Sequence, residues 1–400
     1  MKILITIYHS LGYGGAEVST TFLSRELEKL GHKVIIASTQ KYEGFDTRLF
    51  KLFDKVPFYS YHEFYLGKFL RKIIKEEGVD VVYPQDRLTT IPAVIAAKKE
   101  NKPIVVHFRD FWYACPRSSC MSPDNVNYDL CSYSIILRKF PKKRWLWDMH
   151  KWHYIKSSWK TLEDANAKIC SSYMEKEKLE LCKIKKNVNV VEAGRDIKKF
   201  QNINGMDFKK KYKFKRYIVS LVGTLSYTKG IPVMLKVIPL VIKENKDISF
   251  LIAGDGPMMD DMKEIIRENN LDDNVILVGR VQLEDVAKIY SISDVVLLPV
   301  IWREPGSGIP AEVGASGKPL IASNIGAIRE MTEDFKILVE PFDYEGWKNA
   351  ILKVVKDKKL KKKMGKIGRE MVEKKYAMDV ITDRINKILE GAVKNENPIM

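Results

Sequence analysis

The sequence predicts an α/β protein of two domains, each a parallel sheet with helices on both faces, with a central cleft between them. Three observations carry this. Short apolar runs alternate with amphipathic helical stretches through the first half, the pattern of consecutive βαβ units. The pattern stops near Glu192 and restarts at Tyr217. The glycine-rich turns at Gly12–Gly15, Gly223, Gly254–Gly256, Gly279 and Gly306–Gly308 each follow a strand at its carboxyl end, where such sheets bind ligands.

Lys2–Tyr8 is nearly all apolar, as buried parallel strands are, and continues into a glycine-rich loop with no cleavage signal. Ala16–Leu30 places Val18, Phe22, Leu23, Leu27 and Leu30 on one helical face, and Gly31 ends it before the strand Lys33–Ser38. This opening invites a dinucleotide reading, but Gly12-Tyr13-Gly14-Gly15 lacks the third glycine, and Ser38-Thr39-Gln40 offers no acid for a ribose. A loop whose amides face some phosphate and a tight packing turn fit it equally. Helices near Gly67–Glu77 and Thr89–Glu100 separate strands at Val79–Tyr83 and Pro103–Phe108; Lys168–Ser171 and Val188–Val191 are the last strands of this half.

Between them lie two irregular stretches. Cys115, Cys120 and Cys131 have no fourth partner at zinc-ligand spacing and read as free thiols. Leu137–Lys160 holds four of the seven tryptophans and eight Lys/Arg against the single acid Asp148. That mixture suits a lipid–water interface, or a base-stacking surface, or a partly buried helix with a solvated basic face; we favour an anionic membrane surface.

In the second half, strands at Tyr217–Val222, Ile248–Ala253, Val275–Val278, Val295–Leu298 and Pro319–Ala322 alternate with helices at Ile231–Glu244, Met258–Asn269 and Asp285–Ser291. The stretch Pro299–Pro319 sets Glu304 before a Gly306-Ser307-Gly308 loop and Glu312 inside the following helix. Bare amides at a helix start favour anions, and Pro310 suits a first turn. Lys356–Lys375 is helical with a solvated basic face, Ile381–Leu389 is a final amphipathic helix, and Ala392–Met400 is a tail.

Composition sets outer limits. Four hundred residues, 45% apolar and 30% charged, are globular values, and the longest apolar runs are too short to span a bilayer. Five cysteines, an odd number, point to reduced thiols and a cytoplasmic setting. Of the net charge of +17, +12 falls in residues 1–200, compatible with nucleic acid, an anionic membrane or a phosphorylated substrate.

Taken together, Glu304 and Glu312 with seven residues between them, Ala253-Gly-Asp-Gly-Pro257, Lys229-Gly230 after Val222-Gly223, Gly279-Arg280 before Glu284-Asp285-Val286, and Gly317-Lys318-Pro319 resemble the donor domain of family 4 glycosyltransferases. The resemblance implies the GT-B fold, two Rossmann-like domains facing a cleft. It also implies retaining transfer from a nucleotide-diphosphate sugar. The expected division is an acceptor-side domain at 1–191 with its basic, Trp-rich segment at 137–160, and a linker at 192–206. A nucleotide-sugar domain at 207–377 and a terminal helix and tail at 378–400, able to pack back on the first domain, complete it.

By that resemblance Lys229 neutralises the leaving diphosphate, aided by the amides of Gly308 and Ile309. Glu304 meets hydroxyls of the sugar and Glu312 those of the ribose. Gly223, Thr224, Gly254 and Ser307 line the donor, Gly279 and Arg280 lie by the base, and Gly14 and Gly15 close on the phosphates. His107, Arg109 and Asp110 stand where the family carries a His-Asp pair, with His107 and Arg109 able to share a face. Three departures are visible: Thr224 replaces a common Arg, Gly306 and Ser307 follow Pro305, and Arg109-Asp110 occupies the place of the His-Asp pair; Ala193 also stands for Asn in Ala193-Gly-Arg-Asp196. No Asp-x-Asp clamp is present, so the chemistry is expected to need no metal or other cofactor. The expected partners are the donor, a glycan or lipid-linked acceptor for envelope polysaccharide or glycolipid synthesis, and the inner face of the cell membrane. Nucleic acid is not expected, since it does not explain the strand-end glycines. The competing readings are an epimerase of the same fold and a non-catalytic glycan- or protein-binding relative.

Overall fold

The computed structural model describes residues 1–8, 15–51, 59–331 and 335–395. The chain forms two compact units, Met1–Gly194 with Met378–Met400, and Arg195–Ala377.

The strands of the first unit are β1 (Lys2–Thr6), β2 (Lys33–Ser38), β3 (Asp46–Leu49), β4 (Val81–Pro84), β5 (Val105–His107), β6 (Ala167–Cys170) and β7 (Val188–Val190). They pair in parallel in the orders β3-β2-β1-β4 and β5-β6-β7, and a parallel bridge between Val82 and Ile104 links the two groups. Strands such as Ile3–Ile5 and Val34–Ile36 are almost fully buried because helices cover both faces. The helices are α1 (Gly15–Lys29), α2 (Tyr59–Glu77), α3 (Arg87–Lys99), α4 (Tyr133–Lys139), α5 (Trp145–Glu163) and α6 (Tyr173–Leu181). β3, α4 and α6 are absent from the sequence reading. Asp-Thr-Arg-Leu is a polar strand paired only to β2, so it has no apolar run to betray it. α4 spans seven residues, and α6 is five-ninths charged, so neither shows a wide apolar stripe.

The second unit contains α7 (Met206–Lys210), β8 (Tyr217–Val222), α8 (Ile231–Glu244), β9 (Ile248–Ala253), α9 (Met259–Glu268), β10 (Val275–Gly279), α10 (Leu283–Ile292), β11 (Val295–Leu298), α11 (Ile309–Ala315), β12 (Leu320–Ser323), β13 (Lys336–Val339), α12 (Tyr344–Lys356) and α13 (Lys358–Lys375). The parallel order β10-β9-β8-β11-β12-β13 reverses direction of growth between β8 and β11. In doubly wound sheets that switch point opens a crevice at the carboxyl ends of the strands.

The 192–206 stretch is not a free linker. Glu192 accepts from Arg384 Nη1 inside the first unit, whereas Arg195 N–H donates to Tyr376 O (3.0 Å) and Phe200 is buried against Tyr290 in the second. Arg195 and Ala377 form a parallel bridge, so the chain enters and leaves the second unit side by side. It then forms α14 (Met378–Lys394), whose Ile381, Ile385, Ile388 and Leu389 share one core with Ile3, Ile5 and Val81.

Candidate active site

β8 and β11 are neighbours, and the loops at their carboxyl ends build the centre of the second unit's site. They touch because residue 230 is glycine. Its φ is +81°, and a Cβ there would lie 1.7 Å from Pro299 O. Ile301 N–H donates to Thr228 O (3.0 Å), which fixes the two loops together. Lys229 Nζ consequently pairs with Glu304 Oε1, which also accepts from Trp302 Nε1 at 3.1 Å. The Glu304 side chain is 4% exposed and that of Lys229 one-third exposed. Ala327 N–H holds the Glu304 carbonyl (3.0 Å), and Gly326, at φ +59°, leaves no room for a Cβ beside Glu304 N. A carboxylate fixed in this way is a ready acceptor for hydroxyl groups, next to a cation that can meet an anion.

α11 starts at Ile309 with Gly308 as its cap, which makes no side-chain cap bond. Ser307 is buried beside it. Arg195 Nε donates to Glu312 Oε1 (3.1 Å), and a Cβ on Gly308 would lie 1.8 Å from Arg195 Nη2. Burial pushes the Glu312 carboxyl up and Arg195 pulls it back. Arg195 is therefore a site residue that sequence reasoning missed. It lies over a hundred positions from Glu312 and arrives there only because the second unit begins beside Tyr376.

Gly223 (φ +147°), Gly254 (φ +145°) and Gly279 (φ +68°) end β8, β9 and β10. Gly223 N–H donates to Ala253 O (2.9 Å) and Gly254 N–H to Gly279 O (2.7 Å), while a Cβ on Gly254 would strike Gly223 O at 1.8 Å. Gly254 thus has a packing reason of its own. Thr224 and Arg280 are exposed. Arg280 follows β10, two strands from β8, which at the usual strand spacing is roughly 10 Å away.

In the first unit, the carboxyl ends of β4 and β5 face each other in matched pairs. Tyr83 Oη bonds His107 Nδ1 (2.7 Å), and two residues on, Arg109 Nε and Nη2 donate to Gln85 Oε1 (3.0 and 2.6 Å). His107 and Arg109 do share a face, one pair apart. His107 is buried, and burial followed by the Arg109 charge holds its imidazole well below the usual range, so it is neutral and occupied as a core residue. Arg109 also reaches Ser19 Oγ on α1 (3.2 Å). Asp110 accepts from Trp112 N–H (2.7 Å), and burial raises its carboxyl to about 6 against that bond and Arg87. Asp86 caps α3 and also accepts from Tyr8 N–H (2.6 Å), tying β1 to β4. Gly14 lies outside the described residues, and Gly15 is the first residue of α1.

The Trp-rich segment is divided by the fold. Trp152 and Trp159 are buried edge-to-face at 5.8 Å, and Trp159 Nε1 donates to Tyr113 O (3.0 Å). Half of the tryptophans expected at a lipid surface are therefore core. The outward set is Leu146 (83% exposed), Leu137 and Trp147 among Lys139, Lys142, Lys143 and Arg144. All five cysteines are free and buried; Cys115 Sγ lies 2.9 Å from Tyr128 Oη. Among the described residues no cluster of His, Cys, Asp and Glu is arranged to hold a metal, and no helix is long and apolar enough to cross a membrane.

Residues 13–199 match the family described as Glycosyltransferase Family 4, and residues 204–371 match Glycosyl transferases group 1. The alpha-D-kanosaminyltransferase of Streptomyces kanamyceticus is 27% identical over 172 residues, 42% of this chain and 44% of its own length, so the match spans less than half of that relative. The alpha-monoglucosyldiacylglycerol synthase of Streptococcus pneumoniae is 24% identical over 341 residues, 80% of this chain and 70% of its own. Among solved structures, Anabaena Alr3699/HepE in complex with UDP is similar in fold, with a TM-score of 0.76 at 15% identity, covering 98% of this chain and 100% of that one.

Proposed function

We propose, from the match of residues 13–199 to glycosyltransferase family 4 and of residues 204–371 to glycosyl transferases group 1, that this chain is a retaining enzyme moving a hexose from a nucleotide diphosphate to a glycan or lipid-linked acceptor. The observation that carries this reading is the Lys229–Glu304 pair at the switch point of a doubly wound sheet. Departure of a nucleotide diphosphate builds negative charge on its oxygens and positive charge on the sugar. Lys229 answers the first, with the amides of Gly308 and Ile309. Glu304, oriented by Trp302, accepts hydroxyls of the sugar, and Glu312 those of the ribose. Arg195, lying by Gly308, supplies the second phosphate cation that Thr224 cannot. These fixed dipoles and cations take the part a metal plays elsewhere, so we propose that no metal is required.

UDP is the first donor nucleotide to try, since Anabaena HepE was solved with it. A membrane-bound acceptor is favoured by the similarity to a glucosyldiacylglycerol synthase and by the exposed Leu146 and Trp147 among basic side chains. In this reading the enzyme works peripherally on the inner face of the cell membrane.

The test is a thermal-shift screen of UDP-, GDP- and ADP-sugars, followed by transfer assays with membrane extract. Lys229→Ala and Glu304→Ala are each expected to lower turnover by about 100-fold or more while circular dichroism stays unchanged. Wild-type turnover in both variants would sink the assignment, and an epimer released without acceptor would favour an epimerase.

A further inference from the structure

A second set of charged groups in the first unit is left unused by the donor chemistry. Asp148, near the start of α5, is fully buried, and two guanidinium groups approach it: Arg117 Nη2 at 3.4 Å and Arg144 Nη2 at 3.7 Å. Asp148 Oδ1 makes no hydrogen bond among the described residues, and neither do the buried Nε atoms of Arg87 and Arg117. Arg87 donates to Pro116 O (3.4 Å), which places it against the loop that carries Arg117. Lys151, one turn along α5 from Asp148, lies over the Trp147 ring at 5.3 Å and forms no ion pair among the described residues. Burial and then the charge of Arg87 pull its ammonium down to about 8, with Arg144 and Arg117 adding to that and Asp148 opposing it. Arg117 and Arg144 thus flank one buried carboxylate, with Lys151 a turn along the helix and the charge of Arg87 acting on that lysine.

The other acids nearby do not restore the balance. Asp86 is occupied by the amides of Tyr8, Leu88 and Thr89. Asp110, which feels both Arg87 and Asp86, is held near 6 by burial. Concentrated, partly desolvated positive charge of this kind is costly unless an anion completes it. Its position gives the anion a meaning. Arg87 is the first residue of α3, directly after the carboxyl end of β4, at the same end of the sheet as Arg109 and Asp110. Guanidinium groups match phosphate oxygens two at a time, and Lys151 can meet a third as a point charge.

We propose that Arg87, Arg117, Arg144 and Lys151 form a binding site for a phosphate group carried by the acceptor. The word acceptor rests on the glycosyltransferase reading; the phosphate site itself does not. The phosphate could belong to a lipid headgroup or to a free phosphate ester.

The direct experiment titrates inorganic phosphate and pyrophosphate against the Lys229→Ala protein, in which the donor-side cation is removed, and follows binding by calorimetry. Binding is expected, and adding Arg87→Gln with Lys151→Gln should weaken it by at least about tenfold, with Lys151→Arg restoring most of the affinity. Absence of binding to Lys229→Ala, or binding that ignores the added substitutions, overturns the site. Arg144→Gln, at a half-exposed position, is the independent variant should the pair fail to fold. Glycerol 3-phosphate and vesicles of phosphatidylcholine with and without phosphatidic acid separate the sources. Vesicle binding that needs Arg87 and Lys151 assigns a lipid phosphate; dependence seen only with glycerol 3-phosphate assigns a free one. The UDP thermal shift of the wild-type protein is scored separately, so failure here leaves the donor reading standing.

Discussion

Lys229 and Glu304 act as one unit, and each substitution changes the other partner's surroundings. Removing Lys229 leaves a carboxylate that is 4% exposed with the Trp302 indole N–H as its recorded donor among the described residues, so Lys229→Ala should cost stability as well as turnover. A double-mutant cycle with Glu304→Ala is expected to give a coupling of about 1–3 kcal/mol in chemical denaturation; additivity would show that the pair does not persist in solution. The partners of His107 and Arg109 also set a test between them. His107→Phe should lower stability by about 1–2 kcal/mol, since Tyr83 Oη loses its partner, whereas Arg109→Gln should act on turnover. Comparing melting temperatures with kcat for the two variants decides between them. Asp110 adds a pH dependence. Its carboxyl is raised from 3.8 to about 6, so between those values the folded protein holds a proton that the unfolded chain has released. Stability therefore falls as pH rises through that window and is level above it. Turnover that needs the carboxylate rises through pH 6, and Asp110→Asn should remove that limb from the pH–rate profile.

At the scale of elements, glycines separate backbone necessity from side-chain accommodation. Gly230→Ala would force both a left-handed backbone and a clash with Pro299 O, moving α8 away from β11. We expect a loss of about 3 kcal/mol or more, read as a lower melting temperature. Gly308→Ala meets the Arg195 guanidinium first, at an ordinary φ, so it should displace Arg195 from Glu312 and weaken binding of the donor nucleotide. The two faces of α5 behave differently for a similar reason. Trp152→Ala opens the core and should cost about 3–5 kcal/mol. Leu146→Ser with Trp147→Ser changes exposed positions and should leave stability intact while weakening binding to anionic vesicles at low salt. Sedimentation with vesicles and thermal denaturation read the two outcomes.

For the whole molecule, the first unit is discontinuous in sequence. Ending the chain at Ala377 removes α14 and strips Ile381, Ile385, Ile388 and Leu389 from the core around Ile3, Ile5 and Val81. That truncation is expected to make the first unit proteolytically labile while residues 195–377 retain their own protected core; equal protection of both units would contradict it.

The sequence by itself determined the α/β class, most strands and the strand-end placement of the glycines. Buried parallel strands and amphipathic helices are local patterns, written in consecutive residues. It also singled out Lys229, Glu304 and Glu312, because their spacing lies within short motifs. Tertiary structure alone decided which of these groups meet. Lys229 and Glu304 are 75 positions apart and pair because β8 and β11 became neighbours at a switch point. Arg195 reaches Glu312, and Arg117 reaches Asp148, through chain crossings that no local window contains. Charge counts along a sequence give the sign of a surface; only folding brings particular cations close enough, and dry enough, to need an anion.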